Sequence, residues 1–184
     1  EGVIAELPWA EVRQARVDGT EPILTLDELF ESFPDAYINL DPKAGAAVEP
    51  LAATILSTSS TDRVMVGSFS DRRIDDVRRL VGEELAVSAG PKLTAKLLAE
   101  SRGLPVTARW VHAAQVPAKA KGLPLVTERF VSHLHDRGIH VHVWTVNEAE
   151  EMHRLLDLGV DGIMTDQTEL LKEVFLARGL WSED

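Results

Sequence analysis

The chain has 184 residues, 45% apolar and 27% charged, the balance of a globular protein long enough for one domain with a sizeable core. Its 30 acidic and 19 basic side chains leave a net charge of −11, a surface that repels nucleic acid and argues against a phosphate-backbone partner. There is no cysteine, which excludes disulfides and thiolate zinc sites, and no apolar run approaches the roughly 20 residues needed to span a membrane.

The chain opens Glu1-Gly2-Val3, with no basic, apolar targeting segment and no initiator Met, so it is expected to be a piece of something longer. Residues 8–17 read as a short helix. Thr25-Leu26-Asp27-Glu28 is a capping box that starts a helix carrying Leu26, Leu29, Phe30 and Phe33, ended by Pro34-Asp35. A strand follows through Asn39 to Lys43. Residues 46–56 read as a helix, with Val48, Leu51, Ala52 and Ile55 on one stripe.

The unit then repeats. Strands are expected at 63–68, 84–89, 106–114, 139–145 and 160–165. The helices between them start at Ser70, Pro91, Thr127 and Asn147, and a last one runs from Thr168 to about Arg178. Six strands alternating with helices imply a parallel sheet with right-handed crossovers. No linker or low-complexity segment divides residues 1–184, which read as a single domain. A closed (β/α)₈ barrel needs eight strands and typically about 250 residues. Either the sheet is open, or two units are missing from the N-terminal side.

In a parallel α/β fold the site lies at the carboxyl ends of the strands. Those ends bring together Asp41, Lys43, Phe69, Gln115, Trp144, Asn147 and Asp166. Asn39, Asp41 and Lys43 recur at every second position and so share a strand face. An acid beside an amine is simplest read as an ion pair, and could equally hold a metal ion and a phosphate. No dinucleotide fingerprint, phosphate loop or nucleophile elbow follows any strand. Among other readings, Asn147 with Glu150 is a helix N-cap and its N3 partner, and Asp161 is a turn former. Asp166 either caps the last helix or borders the site. Gln115, read as a loop residue, could reach a ligand hydroxyl. His133 and His135 face different ways on a helix. His140 and His142 read as satisfied barrel-core histidines rather than a His-x-His metal pair, and His112 stays undecided.

Taken together, five segments resemble the glycerophosphodiester phosphodiesterase family. They are Leu24 to Leu29, Ile38-Asn39-Leu40-Asp41-Pro42-Lys43, Ser68-Phe69, Val143-Trp144-Thr145-Val146-Asn147 and Gly159 to Asp166. The last two, in this order and close spacing, are highly specific, and the resemblance covers nearly the whole chain. It implies a (β/α)₈ TIM-barrel type fold of which this chain supplies about six of the eight strands, the third to the eighth. It also implies a divalent cation, Mg or Ca, with Asp41 as a ligand where the family normally has Glu. Lys43 would contact the phosphate, and Trp144 and Phe69 would form apolar walls of the substrate pocket. The implied reaction is hydrolysis of a glycerophosphodiester to glycerol phosphate and an alcohol. In it the cation polarises the phosphodiester and two histidines act as general base and general acid.

The departure is large. The family's His-Arg-Gly, Glu-x-Asp and His-Asp motifs, which supply both catalytic histidines and two carboxylate ligands, do not occur here, and none of the six His substitutes by context. The catalytic histidines are therefore expected upstream, and this segment by itself is expected to be inactive. The incomplete barrel is expected to be complemented by another chain, a swapped copy or collapse of its ends, because open strand edges invite pairing. The rival readings are a non-catalytic barrel-derived binding or scaffold protein and a phospholipase D-like barrel phosphodiesterase. No residue fixes the compartment, and a cytoplasmic location is the expectation.

Overall fold

A computed structural model describes residues 4–120 and 122–181. The opening Glu1-Gly2-Val3, read above for its lack of a targeting signal, lies outside them. In chain order come α1 (Trp9–Val12), β1 (Arg16–Val17), β2 (Glu21–Pro22), α2 (Leu26–Ser32), β3 (Ile38–Leu40) and α3 (Val48–Ser57). Then follow β4 (Val64–Val66), α4 (Asp71–Val81), β5 (Ala86–Val87), α5 (Pro91–Ser101), β6 (Ala113–Pro117), β7 (Lys119–Ala120) and β8 (Leu123–Pro124). The chain continues through α6 (Glu128–His135), β9 (His140–Trp144), α7 (Ala149–Asp157), β10 (Gly162–Ile163) and α8 (Thr168–Ala177).

Six of these strands are parallel and lie side by side in sequence order. β3, β4 and β5 form one run, and β6, β9 and β10 another. The runs join at a parallel bridge between Ser88 and Ala113. There Ala89 N–H donates to Ala113 O at 2.8 Å and His112 N–H to Val87 O at 3.1 Å. The result is one arc, as six strands of an eight-stranded barrel would make.

Alternation along the strands assigns each side chain to a layer. Val64, Val66, Val87, Ala114, Val116, Val141 and Val143 point outward into the core, where Ile55, Ile74, Val77, Leu97, Phe130, Leu134, Met152 and Leu155 of the helices meet them. Fully burying one such aliphatic or aromatic side chain is worth about 1.5–3 kcal/mol, so this outer layer is the main source of cohesion. The concave side is different in kind. Asn39, Met65, Gln115 and His142 meet there, and none of them is fully buried.

The helix starts follow their sequence signals. Thr25 caps α2 in a reciprocal capping box with Glu28, Ser70 accepts from Arg73 N–H, and Thr127 accepts from Phe130 N–H. Pro91 opens α5 at its first turn. Several expectations need correction, among them the strand read through Asn39 to Lys43, which spans only Ile38–Leu40, so that Asp41 and Lys43 lie in the turn after it. The helix read over 8–17 stops at Val12, because Asp18 and Gly19, both at positive φ, turn the chain into a hairpin that pairs β1 with β2. The strand read over 106–114 lies instead at Ala113–Pro117. Val106, Ala108 and Trp110 mimic strand alternation in a loop, whereas the ladder to β9 requires Ala114 and Val116 to face the helices. The stretch after it, read as plain loop, carries the antiparallel pair β7–β8.

At the end of the arc opposite the strand carboxyl ends, Asp161 is a brace rather than a simple turn former. Its carboxylate accepts from Val141 N–H at 2.7 Å and contacts His135 Nε2 at 2.8 Å and His140 Nδ1 at 3.3 Å. His140 is thus no core histidine: its side chain is 63% exposed. His112 accepts the Val87 N–H on Nδ1 and packs edge-on against Trp110, which gives it a structural place. Partial burial pushes the Asp161 carboxyl up, but the Val141 N–H and the two imidazoles outweigh it and hold the group below its usual value. A carboxylate with a depressed folded pKa contributes stability that is fully present above the unfolded pKa of about 3.9 and is lost as pH falls through the lower folded value. Asp161→Asn should therefore cost about 1–3 kcal/mol near neutral pH. In urea titrations, the gap between variant and wild type should shrink on acidification below about pH 4. A gap unchanged down to pH 3 would mean that the charge of Asp161 contributes nothing.

Candidate functional site

The polar end of the site is set by the turn that follows β3. Asp41 leaves the strand half-buried, and Lys43 Nζ donates to its Oδ2. The other oxygen, Oδ1, is buried without a hydrogen-bond partner. Because Lys43 is 74% exposed, the pair is worth little as a structural salt bridge, of order 0–1 kcal/mol. A buried carboxylate oxygen left unpartnered is costly, and it points to a ligand rather than to stability.

The turn itself is fastened from the next unit. Ser68 Oγ donates to Pro42 O at 3.1 Å, and Arg73 donates to Ser68 Oγ at 3.0 Å and to Lys43 O at 2.9 Å. Ser68 and Arg73 thus act as positioning residues for the Asp41–Lys43 turn. Sequence reading missed Arg73, whose only signal was its place one turn into the helix that Ser70 caps.

Phe69 stands at the mouth, 64% exposed, with Lys43 Nζ 5.6 Å from its ring centroid. Trp144, at the end of β9, meets it edge-to-face with centroids 5.5 Å apart and planes at 73°. This chain of contacts joins the first half of the arc to the second. Two aromatics held in this geometry make a wall, and the exposure of Phe69 leaves its free face toward the mouth.

Gln115 forms the floor. It lies inside β6, not in a loop as read from the sequence, and its amide donates to Asn39 Oδ1 at 2.9 Å. The same nitrogen is 3.5 Å from Met65 Sδ and 3.4 Å from His142 Nδ1. A Cβ at position 67 would lie 2.6 Å from Gln115 Oε1, so Gly67 makes the space for this side chain. Burial is the main effect on the His142 imidazole and lowers its pKa, with the charge of His140 adding to it and Asp161 opposing.

Asn147 is not a helix N-cap: Glu148 holds that position. Its amide instead ties the ends of the last two strands together, accepting from Asp166 N–H at 2.9 Å and Thr165 Oγ1 at 3.1 Å and donating to Asp166 Oδ2 at 3.0 Å. Asp166 therefore borders the site, with Gln167 as the cap of α8.

All five residues read from the sequence, Asp41, Lys43, Phe69, Gln115 and Trp144, line one cavity of about 580 Å³ at the carboxyl ends of the strands. No histidine lines it among the described residues. The unpartnered Oδ1 of Asp41 fits one position in a cation's coordination shell, but no group of three potential ligands exists among the described residues. A hard cation's shell of roughly six or more oxygens could draw at most a small part of itself from them.

This geometry can be set beside known proteins. The profile of the family described as "Glycerophosphoryl diester phosphodiesterase family" matches residues 1–170. A Mycobacterium tuberculosis protein named "Probable glycerophosphodiester phosphodiesterase 2" is 39% identical over 188 residues, covering 98% of this chain and 70% of its own length. A glycerophosphodiester phosphodiesterase of Caldanaerobacter subterraneus is 29% identical over 161 residues, covering 82% of this chain, which spans only 61% of that relative. Among solved structures, a glycerophosphodiester phosphodiesterase from Parabacteroides distasonis superposes with a TM-score of 0.72 at 17% identity, over 96% of this chain and 74% of its own. An Oleispira antarctica phosphodiesterase, solved with the product sn-glycerol-3-phosphate, gives 0.70 at 16% identity, over 95% and 72%. These two likenesses bear on the fold, which is of the (β/α)₈ TIM-barrel type. By the profile match and the mycobacterial relative, the chain belongs to the glycerophosphoryl diester phosphodiesterase family, a family of phosphodiester hydrolases.

Proposed function

We propose that the protein, as one domain over residues 1–184, serves the hydrolysis of glycerophosphodiesters to glycerol phosphate and an alcohol, with Asp41, Lys43, Phe69, Gln115 and Trp144 as its contribution to the site. One observation carries this reading: a carboxylate with a free buried oxygen and an ammonium group stand together at the polar end of the cavity, beside an aromatic wall. That is what a phosphodiester with a bound cation requires, because the ester is anionic and its non-reacting parts need an apolar surround.

In this reading Asp41 Oδ1 is one ligand of a divalent cation, Mg or Ca. When bound, that cation supplies charge neutralisation at the phosphoryl oxygens. Lys43 turns from Asp41 toward a phosphate oxygen and holds the ester in place. Phe69 and Trp144 exclude water from one side of the ester, and Gln115 closes the floor. The general acid and base of the reaction are not among these residues, and the remaining carboxylate ligands are not either.

Glycerophosphocholine turnover, followed by release of glycerol phosphate, tests the proposal. Where turnover is found, a chelator should abolish it and Mg or Ca restore it, and Asp41→Ala should lower kcat/KM by at least about 100-fold, as loss of a charged contact to the reacting group does. Lys43→Ala should raise KM by about 10- to 150-fold, the worth of one charge-assisted hydrogen bond. Asn147→Ala should act differently: it should cost about 1–3 kcal/mol of folding stability, read in a urea titration, because it removes a strut rather than a substrate contact. Wild-type activity in Asp41→Ala would refute the assignment of the site. Complete absence of turnover and of phosphate-ester binding in the wild type would favour a non-catalytic scaffold.

A further inference from the structure

Beneath the floor of the site lies a second cavity of about 260 Å³. Asn39, Gln115 and Met164 line both cavities, whereas His142 lines only the lower one. Gln115, His142 and Gly162 form one row across β6, β9 and β10. A Cβ at position 162 would lie 2.9 Å from His142 Cδ2, so the glycine gives the imidazole its room. The ring is thus seated between the Gln115 side chain and the Gly162 backbone, against the underside of the floor.

Donor and acceptor chemistry fixes what that imidazole does. The Gln115 amide nitrogen carries two hydrogens and has three acceptors around it: Asn39 Oδ1 at 2.9 Å, His142 Nδ1 at 3.4 Å and Met65 Sδ at 3.5 Å. His142 can be one of them only with Nδ1 unprotonated. The Gln115 carbonyl oxygen lies instead against Gly67, where a Cβ would meet it at 2.6 Å and Ser88 Oγ at 2.7 Å. Gly67, Ser88 and Gln115 all line the upper cavity. We infer that His142 is a positioning residue for the site: through an unprotonated Nδ1 it holds the Gln115 amide so that the carbonyl oxygen is offered to the upper cavity as an acceptor for a ligand hydroxyl.

Protonation reverses this. Both imidazole nitrogens are then donors, and N–H would face N–H. Turning the Gln115 amide over relieves that clash, at the cost of the Asn39 hydrogen bond and of the acceptor above. At neutral pH the imidazole is held uncharged, because burial and the charge of His140 lower its pKa against the pull of Asp161. His140 precedes it on β9, with ring centroids 6.4 Å apart, and Asp161 stands just before β10. Across the lower cavity are Asp62, Arg63 and Tyr37, of which Arg63 donates to the Phe30, Phe33 and Ala36 carbonyls. The role given to His142 rests on the proposed function only in taking a hydroxylated phosphate ester as the ligand.

In the ligand-free protein, nitrogen NMR should show His142 with Nε2–H and a bare Nδ1 near pH 7.5. The Gln115 side-chain amide signals should then shift with the midpoint at which His142 protonates, below the ordinary value of about 6.5. A proton on Nδ1 at about pH 7.5 overturns the inference, and so does a Gln115 amide that ignores protonation of His142. This arm needs no ligand.

Calorimetry supplies the second arm, comparing glycerol phosphate with propyl phosphate, whose phosphate titrates over the same range but which has no hydroxyl. The wild type should prefer glycerol phosphate by roughly 3- to 10-fold near pH 7.5, the worth of one neutral hydrogen bond, and lose that preference as His142 is protonated. His142→Leu should lose it at every pH while still binding propyl phosphate. His142→Asn, whose carbonyl oxygen takes the place of Nδ1 but gains no proton, should restore the preference and free it from pH. A preference retained by His142→Leu, or a pH dependence retained by His142→Asn, overturns the positioning role. Binding of neither ester removes the proposed ligand, and the NMR arm then decides for or against His142.

Discussion

Everything in the site depends on the seam between β5 and β6. Asp41, Lys43 and Phe69 follow strands of the β3–β4–β5 run, and Gln115, Trp144 and Asp166 lie in or just after strands of the β6–β9–β10 run. The two groups share a cavity because the Ala89 and His112 amides hydrogen-bond across the seam and carry the parallel register from one run to the next. Only a few bonds make this junction, since β5 is two residues long. The outer layer of helices supports it: α5 packs on α6 across the seam as α3 packs on α4 before it, so the strands are held from outside by apolar packing. On the inside, the Gln115–Asn39 hydrogen bond and the Phe69–Trp144 contact span the arc at two heights. A shift of one residue in the β6 register would turn Gln115 outward and Val116 inward, removing the floor of the site and opening the core at once.

How much of this was legible in the chain depended on the kind of signal. Helix starts were legible because caps are local: Thr25, Ser70 and Thr127 each satisfy N–H groups three residues ahead, and the residue type announces it. Strand existence and order were legible from alternation with helices. Strand position was not always so. At residues 106–117 two apolar alternations compete, and only the partner strand decides between them. β9 pairs with Ala113–Pro117, so Trp110 and Arg109 fall in the loop that precedes the strand, and Gln115 moves from a supposed loop to the centre of the sheet. Asn147 failed for a related reason. An Asn before a helix is a good cap on local grounds, but Asp166 and Thr165 offer it more bonds across the sheet than its own helix does. The five residues read from the sequence meet in one cavity because motifs place them at strand ends, where topology alone brings side chains together. Arg73 was missed because its place is tertiary: it reaches back to a turn 30 residues earlier.

Electrostatics at the polar end bears on how an anionic ester could be held by a chain of net charge −11. Lys43 is already matched by Asp41, and the nearby Arg73 spends its donors on Ser68 and on the Lys43 carbonyl. The Lys43 charge is therefore offset by a carboxylate, whereas Arg73, whose two acceptors here are neutral oxygens, keeps its charge behind the turn. On the proposed reading a cation at Asp41 changes that balance, since it would occupy the carboxylate and release the ammonium group to the ester. The short arm of Asp41, one methylene less than a glutamate, keeps its oxygens close to the strand end where Ser68 and Pro42 fix the turn. A longer side chain would reach further into the cavity, and Lys43 would have to follow it.

The polar and apolar linings of the cavity place opposite demands on the fold, and the fold meets them with different elements. The polar end needs fixed donors and acceptors, and it is built on a strand end with its turn clamped by Ser68 and Arg73. Apolar lining needs only surface, and α5 supplies some of it, burying Leu93 and Leu97 in the core while Pro91, Ala95 and Leu98 line the cavity. Apolar attraction is non-directional, so α5 can vary in side chain without disturbing the geometry at Asp41 and Lys43. The aromatic pair Phe69–Trp144 combines both demands: its edge-to-face packing is directional enough to hold a wall, and its rings are apolar.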